Sequence, residues 1–202
     1  MNVISFVAAV LPFAVAMSFT PGPNNLMLAT AGARFGFLLT LAHQCGIVVG
    51  FASMVLCVGF GVTAIIVKEP SVYLAMKIAS LVYMLWLAWK TARARPAEDA
   101  DSKGAPMSFL AAAAFQWVNP KAWMMILTAV AAYSTPNSDR ATQVITLALV
   151  FATVGAASSS TWVLFGQLIR RVLTTPRKRI AFNWTMALLL LVSMIPVMFE
   201  RP

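Results

Sequence analysis

The chain is too apolar to be a soluble domain, because 60% of its 202 residues are hydrophobic and only 10% are charged. Soluble domains carry about 25% charged residues, so this sequence lacks the polar side chains that would cover such a surface. Its apolar stretches are also longer than the alternating segments of about ten residues that build outer-membrane barrels. The composition therefore predicts an all-α integral membrane protein.

The net charge of +9 would suggest nucleic-acid binding in a soluble protein. Here most lysines and arginines lie in short loops between apolar segments. Basic loops of this kind are typical of orientation signals and of contact with anionic lipid. We therefore expect the lipid bilayer, and no nucleic acid, as a partner, while a homo-oligomer stays open.

Six apolar segments predict six transmembrane spans in chain order. The first covers residues 3–33 and is interrupted at Pro21 and Pro23, and the second covers 37–67. The third covers 72–89 and follows a stop at Pro70, since proline cannot continue a helix. A charged linker leads to the fourth, 107–133, which is interrupted at Asn119 and Pro120. The fifth, 141–169, and the sixth, 180–199, flank a basic loop at 170–179.

The linker, residues 91–106, divides a single transmembrane domain at 1–202 into halves 1–90 and 107–202 with three spans each. An odd number of spans per half gives the halves opposite orientations, as in transporters with inverted repeats. The loops after the odd-numbered spans hold ten lysines and arginines, and the opposite side holds three. The positive-inside rule then places the linker in the cytoplasm and both termini outside.

Two proline breaks, about one hundred residues apart, interrupt the first and fourth spans. Paired broken helices in corresponding halves are a sequence sign of a transporter binding site. Each restarted helix exposes N–H groups and the positive end of its dipole, which favour a carboxylate. We expect Asn24 and Asn25 to cap the first restart, and Asn119 with Pro120 to form the second. The predicted substrate-binding residues are Pro21, Gly22, Pro23, Asn24, Asn25, Gln116, Asn119, Pro120 and Lys121. Plain proline kinks are the alternative.

Lys121 lies inside an apolar span, where an ammonium group is costly and marks a functional candidate. We expect it to pair with a substrate carboxylate, and snorkelling to an interface is the alternative. No carboxylate lies within a span, and His43 is the one spanning side chain that titrates near neutrality. His43 and its neighbour Gln44 are therefore candidates for a proton relay, with a structural hydrogen-bonding role as the alternative.

The remaining small and reactive residues predict packing rather than chemistry. Gly46 and Gly50, and the small residues at 155–161, are typical of closely packed helices. The sequence contains no metal-ligand cluster, phosphate loop or nucleophile motif. It predicts no catalytic residue, metal or cofactor.

With these residues in view, the chain resembles the LysE/RhtB family of amino-acid exporters over nearly its whole length. The resemblance rests on six hydrophobic segments, Thr-Pro-Gly-Pro-Asn-Asn at 20–25, the following Gly36 and Phe37, and Asn-Pro-Lys at 119–121. The paired Asn residues followed by Leu26 are most similar to the branch of cysteine and O-acetylserine exporters. The resemblance implies an exporter in the bacterial inner membrane, driven by the proton gradient, with a small zwitterionic substrate. Many relatives carry Asp where Asn24 stands, so a coupling role for that carboxylate does not transfer.

Two other classes of function stay open from the residues alone. A membrane enzyme acting on lipid would need an acid, base or metal set. A scaffold or receptor would carry no solute across the membrane.

Overall fold

The computed structural model describes residues 2–61, 70–93, 104–134, 139–192 and 195, and every regular element within them is helical. Short 3-10 turns at Leu38–Thr40 and Gln116–Val118 join some of the helices. The α-helices of this part of the chain are α1 (Val3–Phe19), α2 (Pro23–Phe35), α3 (Leu41–Gly59), α4 (Pro70–Ala92), α5 (Phe109–Phe115), α6 (Pro120–Tyr133), α7 (Arg140–Val172) and α8 (Pro176–Val192).

The first predicted break is confirmed, because α1 and α2 meet at an angle of 56°. Helix α1 starts after Asn2, whose side chain accepts a hydrogen bond from the Ser5 N–H at 2.8 Å. It ends before Pro21, which has no N–H to continue the helix. Helix α2 starts at Pro23, since the fixed φ of proline suits the first helical position.

The second predicted break is also confirmed. Helix α5 starts after Ser108, whose hydroxyl accepts a hydrogen bond from the Ala111 N–H at 3.3 Å. It tightens into the turn Gln116–Val118 and ends at Asn119, which has an extended backbone. Helix α6 then starts at Pro120, as the sequence predicts.

The second predicted span begins as a 3-10 turn and continues as α3. Helix α3 ends at Gly59, and Gly61 then adopts a φ of 80°, a left-handed conformation that glycine tolerates at little cost. The rest of that prediction, residues 62–67, lies outside the described residues.

Three other boundaries differ from the sequence prediction. Helix α4 continues to Ala92, so the first two residues of the predicted linker are helical, and 94–103 lie outside the description. The basic loop predicted at 170–179 is shorter, because α7 runs to Val172 and α8 starts at Pro176. Pro176 suits a helix start, and the Thr175 hydroxyl accepts a hydrogen bond from the Lys178 N–H at 3.4 Å. Most of residues 193–199, at the end of the sixth predicted span, are not described.

Helix α7 packs against α1, α2 and α3, while α4 packs against α8. The contact of α2 with α7 needs two glycines: a Cβ at Gly32 would overlap the Val163 carbonyl, and a Cβ at Gly166 would overlap that of Ala29. The two backbones therefore touch, as small residues permit in membrane helices. This close crossing fixes the first break beside the middle of α7.

Within the described residues, two helical segments are long and apolar enough to cross a membrane, Leu38–Gly59 and Arg140–Val172. The bent pair α1 and α2 makes a third if it counts as one span. Large apolar side chains such as Leu110, Leu149 and Leu188 lie on the outside of the bundle, exposed by 75%, 62% and 62%. Such a surface suits contact with hydrocarbon rather than water.

Candidate functional site

The two helix breaks, distant in sequence, lie on one cavity of about 60 Å³. A water molecule needs about 10–15 Å³ by this kind of measure, so the cavity has room for several waters or part of a small solute. The apolar side chains that line the cavity include Met17, Ile47, Val48, Phe51, Met125 and Phe151. The polar side chains that line it are those of Ser18, Asn24, Asn25, Asn119, Lys121, Ser158 and Ser159.

The end of α1 leaves backbone carbonyls that the prolines cannot satisfy, and side chains from elsewhere bond to them. The Asn25 amide donates to the carbonyl oxygens of Ser18 at 2.7 Å and Thr20 at 2.8 Å. The Ser158 hydroxyl, from α7, also donates to the Ser18 carbonyl at 2.7 Å. Unpaired carbonyls at membrane depth cost several kcal/mol each, so these bonds allow the backbone to stay non-helical there.

Lys121 reaches from the second break to the first. Its Nζ donates to the Thr20 carbonyl at 2.8 Å, to the Thr20 hydroxyl at 2.8 Å and to the Pro21 carbonyl at 3.3 Å. The aliphatic part of the side chain lies against Gly22, where a Cβ would come within 2.7 Å of Lys121 Cδ. The lysine thus directs its three N–H donors to the first break.

A pair of amides forms a second connection between the breaks. Asn24 Nδ2 donates to Gln116 Oε1 at 2.8 Å, and Gln116 Nε2 donates back to Asn24 Oδ1 at 3.2 Å. Gln116 is fully buried and also donates to the Ala112 carbonyl at 2.9 Å. Because both groups of each amide are paired, this contact holds the start of α2 beside the end of α5.

The two helix starts differ in how they are capped. Asn119 accepts a hydrogen bond from the Lys121 N–H at 3.1 Å, which confirms the predicted cap of α6. The prediction that Asn24 and Asn25 cap α2 is wrong, because Gly22 occupies the cap position and no side chain bonds to the first turn. Both Asn side chains bond to other elements instead. The start of α2, the positive end of its dipole, is therefore without a side-chain cap, and Gly22, Asn24 and Asn25 at this end line the cavity.

His43 and Gln44 lie apart from this cavity, on the first turn of α3, which contributes Ile47 and Val48 to the lining. His43 is 2% exposed, and neither ring nitrogen has a hydrogen-bond partner among the described residues. Gln44 accepts from the Ser160 hydroxyl at 3.2 Å, but its Nε2 has no partner there either. Buried polar groups without partners are rare, so His43 and Gln44 stand out among the described residues.

Of the nine residues predicted at the breaks, five line the cavity: Gly22, Asn24, Asn25, Asn119 and Lys121. Pro21 and Gln116 bond to Lys121 and Asn24, while Pro23 and Pro120 start α2 and α6. The structure adds Thr20 and Ser158, which bond across the first break. Thr20 stands directly before Pro21, and its hydroxyl is the kind of acceptor that an adjacent ammonium needs. Ser158 belongs to the small-residue stretch at 155–161 that the sequence analysis interpreted as packing. The sequence signal for Ser158 is only a hydroxyl within an apolar segment, which does not point to either break.

Comparison with known proteins identifies the family of this chain. A family model described as the LysE type translocator matches residues 15–197. A cysteine/O-acetylserine efflux protein of Salmonella typhimurium is 28% identical over 183 residues, which are 90% of this chain and 92% of the relative. Proteins with the same description from Klebsiella pneumoniae and Escherichia coli K12 are 27% identical over 197 and 196 residues, covering 97% and 96% of this chain and 98% of each relative.

No solved structure matches the chain. The family match covers most of the sequence and confirms the resemblance seen in the two break motifs. It also decides against the alternative of a lipid-acting enzyme, because the family consists of translocators. The chain belongs to the LysE type translocator family and is a membrane transporter.

Proposed function

We propose that the chain exports amino acids or small amino-acid derivatives across the bacterial inner membrane as a secondary transporter. The observation that carries this proposal is the shared cavity, onto which both helix breaks open from opposite halves of the chain. A zwitterion needs a cationic or dipolar group for its carboxylate, acceptors for its ammonium and a surface for its side chain. The cavity combines these three features.

Each part of the substrate has a partner in this proposal. The open start of α2 and the Lys121 ammonium receive the carboxylate, since both favour negative charge. Break carbonyls and the hydroxyl of Ser159, which no protein group bonds among the described residues, receive the ammonium. Met17, Phe51 and Met125 contact the side chain.

The substrate side chain is neutral and small in this proposal. None of the described lining residues carries a carboxylate that would pair with a basic substrate side chain. The apolar lining residues disfavour a substrate side chain that carries a second carboxylate. Cysteine and O-acetylserine, the solutes after which these relatives are named, meet both conditions. We therefore propose such compounds as the first substrates to test.

The membrane arrangement is part of the proposal. Six spans in a 3+3 inverted repeat would place the two breaks in corresponding positions, with the linker cytoplasmic and both termini outside. Three features support this arrangement: the long helices α3 and α7, the bent pair of α1 and α2, and the basic residues at 170–179. A topology reporter fused after residue 100 should report the cytoplasm, and a periplasmic signal would contradict the repeat.

Protons are the coupling ion in this proposal, and His43 with Gln44 is the relay. His43 is the single histidine of the chain, and its buried ring nitrogens have no partner among the described residues. It lies about one helical turn before Ile47, which lines the cavity. A proton bound there would need new partners, which links its movement to a change of helix packing. His43→Gln should abolish export driven by a pH gradient while leaving substrate exchange intact. Export that still follows the gradient would exclude the relay.

The transport proposal is tested by counterflow in vesicles reconstituted with the purified protein. Vesicles loaded with unlabelled O-acetylserine should accumulate external labelled O-acetylserine, and protein-free vesicles should not. The absence of counterflow for O-acetylserine, cysteine and a panel of other neutral amino acids would contradict the proposal and favour a scaffold or receptor.

A further inference from the structure

We infer that Thr20 and Pro21 occupy the Lys121 ammonium in place of a substrate carboxylate, so that substrate binds by displacing the first break from this lysine. The inference rests on the proposed function and adds a positioning residue, Thr20, and an order of events. We call the three hydrogen bonds from Lys121 Nζ to Thr20 O, Thr20 Oγ1 and Pro21 O the lysine clasp.

The lysine clasp engages every N–H donor of the Lys121 ammonium, so none is left for a further acceptor. A lysine ammonium has three N–H groups, and the clasp supplies three oxygen acceptors. The Thr20 hydroxyl accepts from Lys121 because its own hydrogen is directed to the Met17 carbonyl at 2.9 Å. A carboxylate that binds Lys121 must therefore replace at least one of these bonds.

The surroundings of the clasp make such a replacement feasible. Lys121 lines the cavity, whereas Thr20 is exposed, so the clasp lies at the edge of the cavity and not deep within it. The Lys121 side chain lies directly against Gly22, and the start of α2, which has no side-chain cap, lies two residues beyond Pro21. A carboxylate arriving there meets the dipole end and the ammonium together, and its charge makes it a stronger acceptor than a carbonyl.

The two breaks stay connected when the clasp opens. The amide pair of Asn24 and Gln116 does not involve Lys121, and the Ser158 hydroxyl holds the end of α1 independently. Opening therefore frees the Thr20 hydroxyl and the Pro21 carbonyl without separating α2 from α5, while the Asn25 amide still bonds to the Thr20 carbonyl. The expected consequence is competition, in which the clasp lowers the apparent affinity for substrate by keeping the lysine engaged.

Competition predicts that loss of a clasp bond strengthens substrate binding. The Kd for O-acetyl-L-serine is measured by calorimetry on the purified full chain. Thr20→Val removes one clasp acceptor and should lower the Kd by about threefold to tenfold, since a bond to a charged group is lost from the competing state. Thr20→Ser restores the hydroxyl and should return the Kd toward the wild-type value. The amide of O-acetylserine, which lacks the carboxylate, should show no gain with Thr20→Val.

Thr30→Val is the matched control, because the Thr30 hydroxyl makes the same kind of intrahelical bond, to the Leu26 carbonyl at 2.8 Å, away from the lysine. A Kd in Thr20→Val that equals or exceeds the wild-type value overturns the inference. Wild-type protein that binds no zwitterion at all overturns the proposed function and this inference with it, so the wild-type titration separates the two failures.

A second measurement needs no substrate. Acylation of Lys121 by a small amine-reactive acylating agent is measured by peptide mass spectrometry. Its rate should rise severalfold in Thr20→Val and stay at the wild-type value in Thr30→Val. An unchanged rate in Thr20→Val would show that these oxygens do not hold the ammonium, and would also overturn the inference.

Discussion

The two helix breaks differ in where the hydrogen-bond partners of their non-helical backbone come from. The second break satisfies itself locally: the Asn119 N–H donates to the Gln116 carbonyl at 3.2 Å, the Asn119 side chain caps α6, and the Trp123 indole donates to the Trp117 carbonyl at 2.9 Å. The first break depends on donors from elsewhere, namely Lys121 and Ser158, as well as on Asn25.

This difference assigns different roles to the two breaks. A locally satisfied break is a rigid platform, because its bonds do not change when other helices move. A break whose bonds come from other helices changes whenever those helices shift or a ligand competes for the donors. We therefore interpret the second break as the fixed part of the site and the first as the part that responds to substrate.

The largest expected effect comes from Lys121→Met, which removes the donor that both the first break and the substrate carboxylate use. Methionine keeps the length and apolar character of the side chain, so we expect insertion and folding to persist. Counterflow of O-acetylserine should fall at least about tenfold, since a bond to a charged group contributes roughly 1.5–3 kcal/mol. Lys178→Met, at an exposed position outside the cavity, is the control. Equal counterflow in both variants would remove Lys121 from the site.

The next effect concerns the amide pair between the breaks. Asn24→Ala leaves the buried Gln116 with an unpaired carbonyl oxygen, and it should destabilise the protein by about 1–3 kcal/mol. Urea or thermal unfolding in detergent measures this change. The double variant Asn24→Ala with Gln116→Leu should recover part of the stability, because no amide is then left unpaired. Additive losses in the double variant would argue against a direct pair.

Asn119→Ala tests whether the second break is a local platform. Loss of the Asn119 cap should lower stability by about 1 kcal/mol, the usual value for such a cap. If the second break is self-contained, the hydrogen exchange of the first turn of α6 should rise while that of α2 stays unchanged. Faster exchange in α2 as well would show that the breaks are not independent.

Gly22→Ala is expected to have the smallest effect. The backbone at Gly22 has a φ of −177°, which any residue adopts, so the change acts through contact with the lysine alone. The new Cβ would press on Lys121 Cδ, which is part of a flexible chain and can shift. We expect a change in Kd of about threefold or less. A loss as large as that in Lys121→Met would mean that the lysine cannot move, contrary to the proposed displacement.

The breaks could be predicted from the sequence because proline, glycine and asparagine act through local backbone chemistry. Pro21, Pro23 and Pro120 exclude a continuous helix wherever the chain goes, and Asn119 before Pro120 is a strong start signal. The partners of Lys121 and Ser158 could not be predicted in the same way. They depend on how α6 and α7 pack against α1, which local sequence preferences do not determine.

The wrong prediction at Asn24 and Asn25 has the same origin. Both residues are good caps by local preference, yet their amides bond to Gln116 and to the carbonyls of Ser18 and Thr20. Bonding these carbonyls stabilises the fold more than capping α2 would, because water does not reach carbonyls at membrane depth. Prediction of helix ends near Val172 and Pro176 failed for a simpler reason, since charged residues occur in helices as readily as in loops.

The most direct test of a shared substrate cavity is ligand protection of a single cysteine at Ser159. In a background with Cys45→Ala and Cys57→Ala, Ser159→Cys places a thiol on the cavity wall, and Thr161→Cys places one on the exposed side of the same helix. Alkylation by a small maleimide is measured with and without saturating O-acetylserine. If the substrate occupies this cavity, alkylation at position 159 should be slower with the ligand, and alkylation at position 161 should not change. Equal rates at 159 with and without a ligand that is shown to bind would contradict the placement of the substrate between the two breaks.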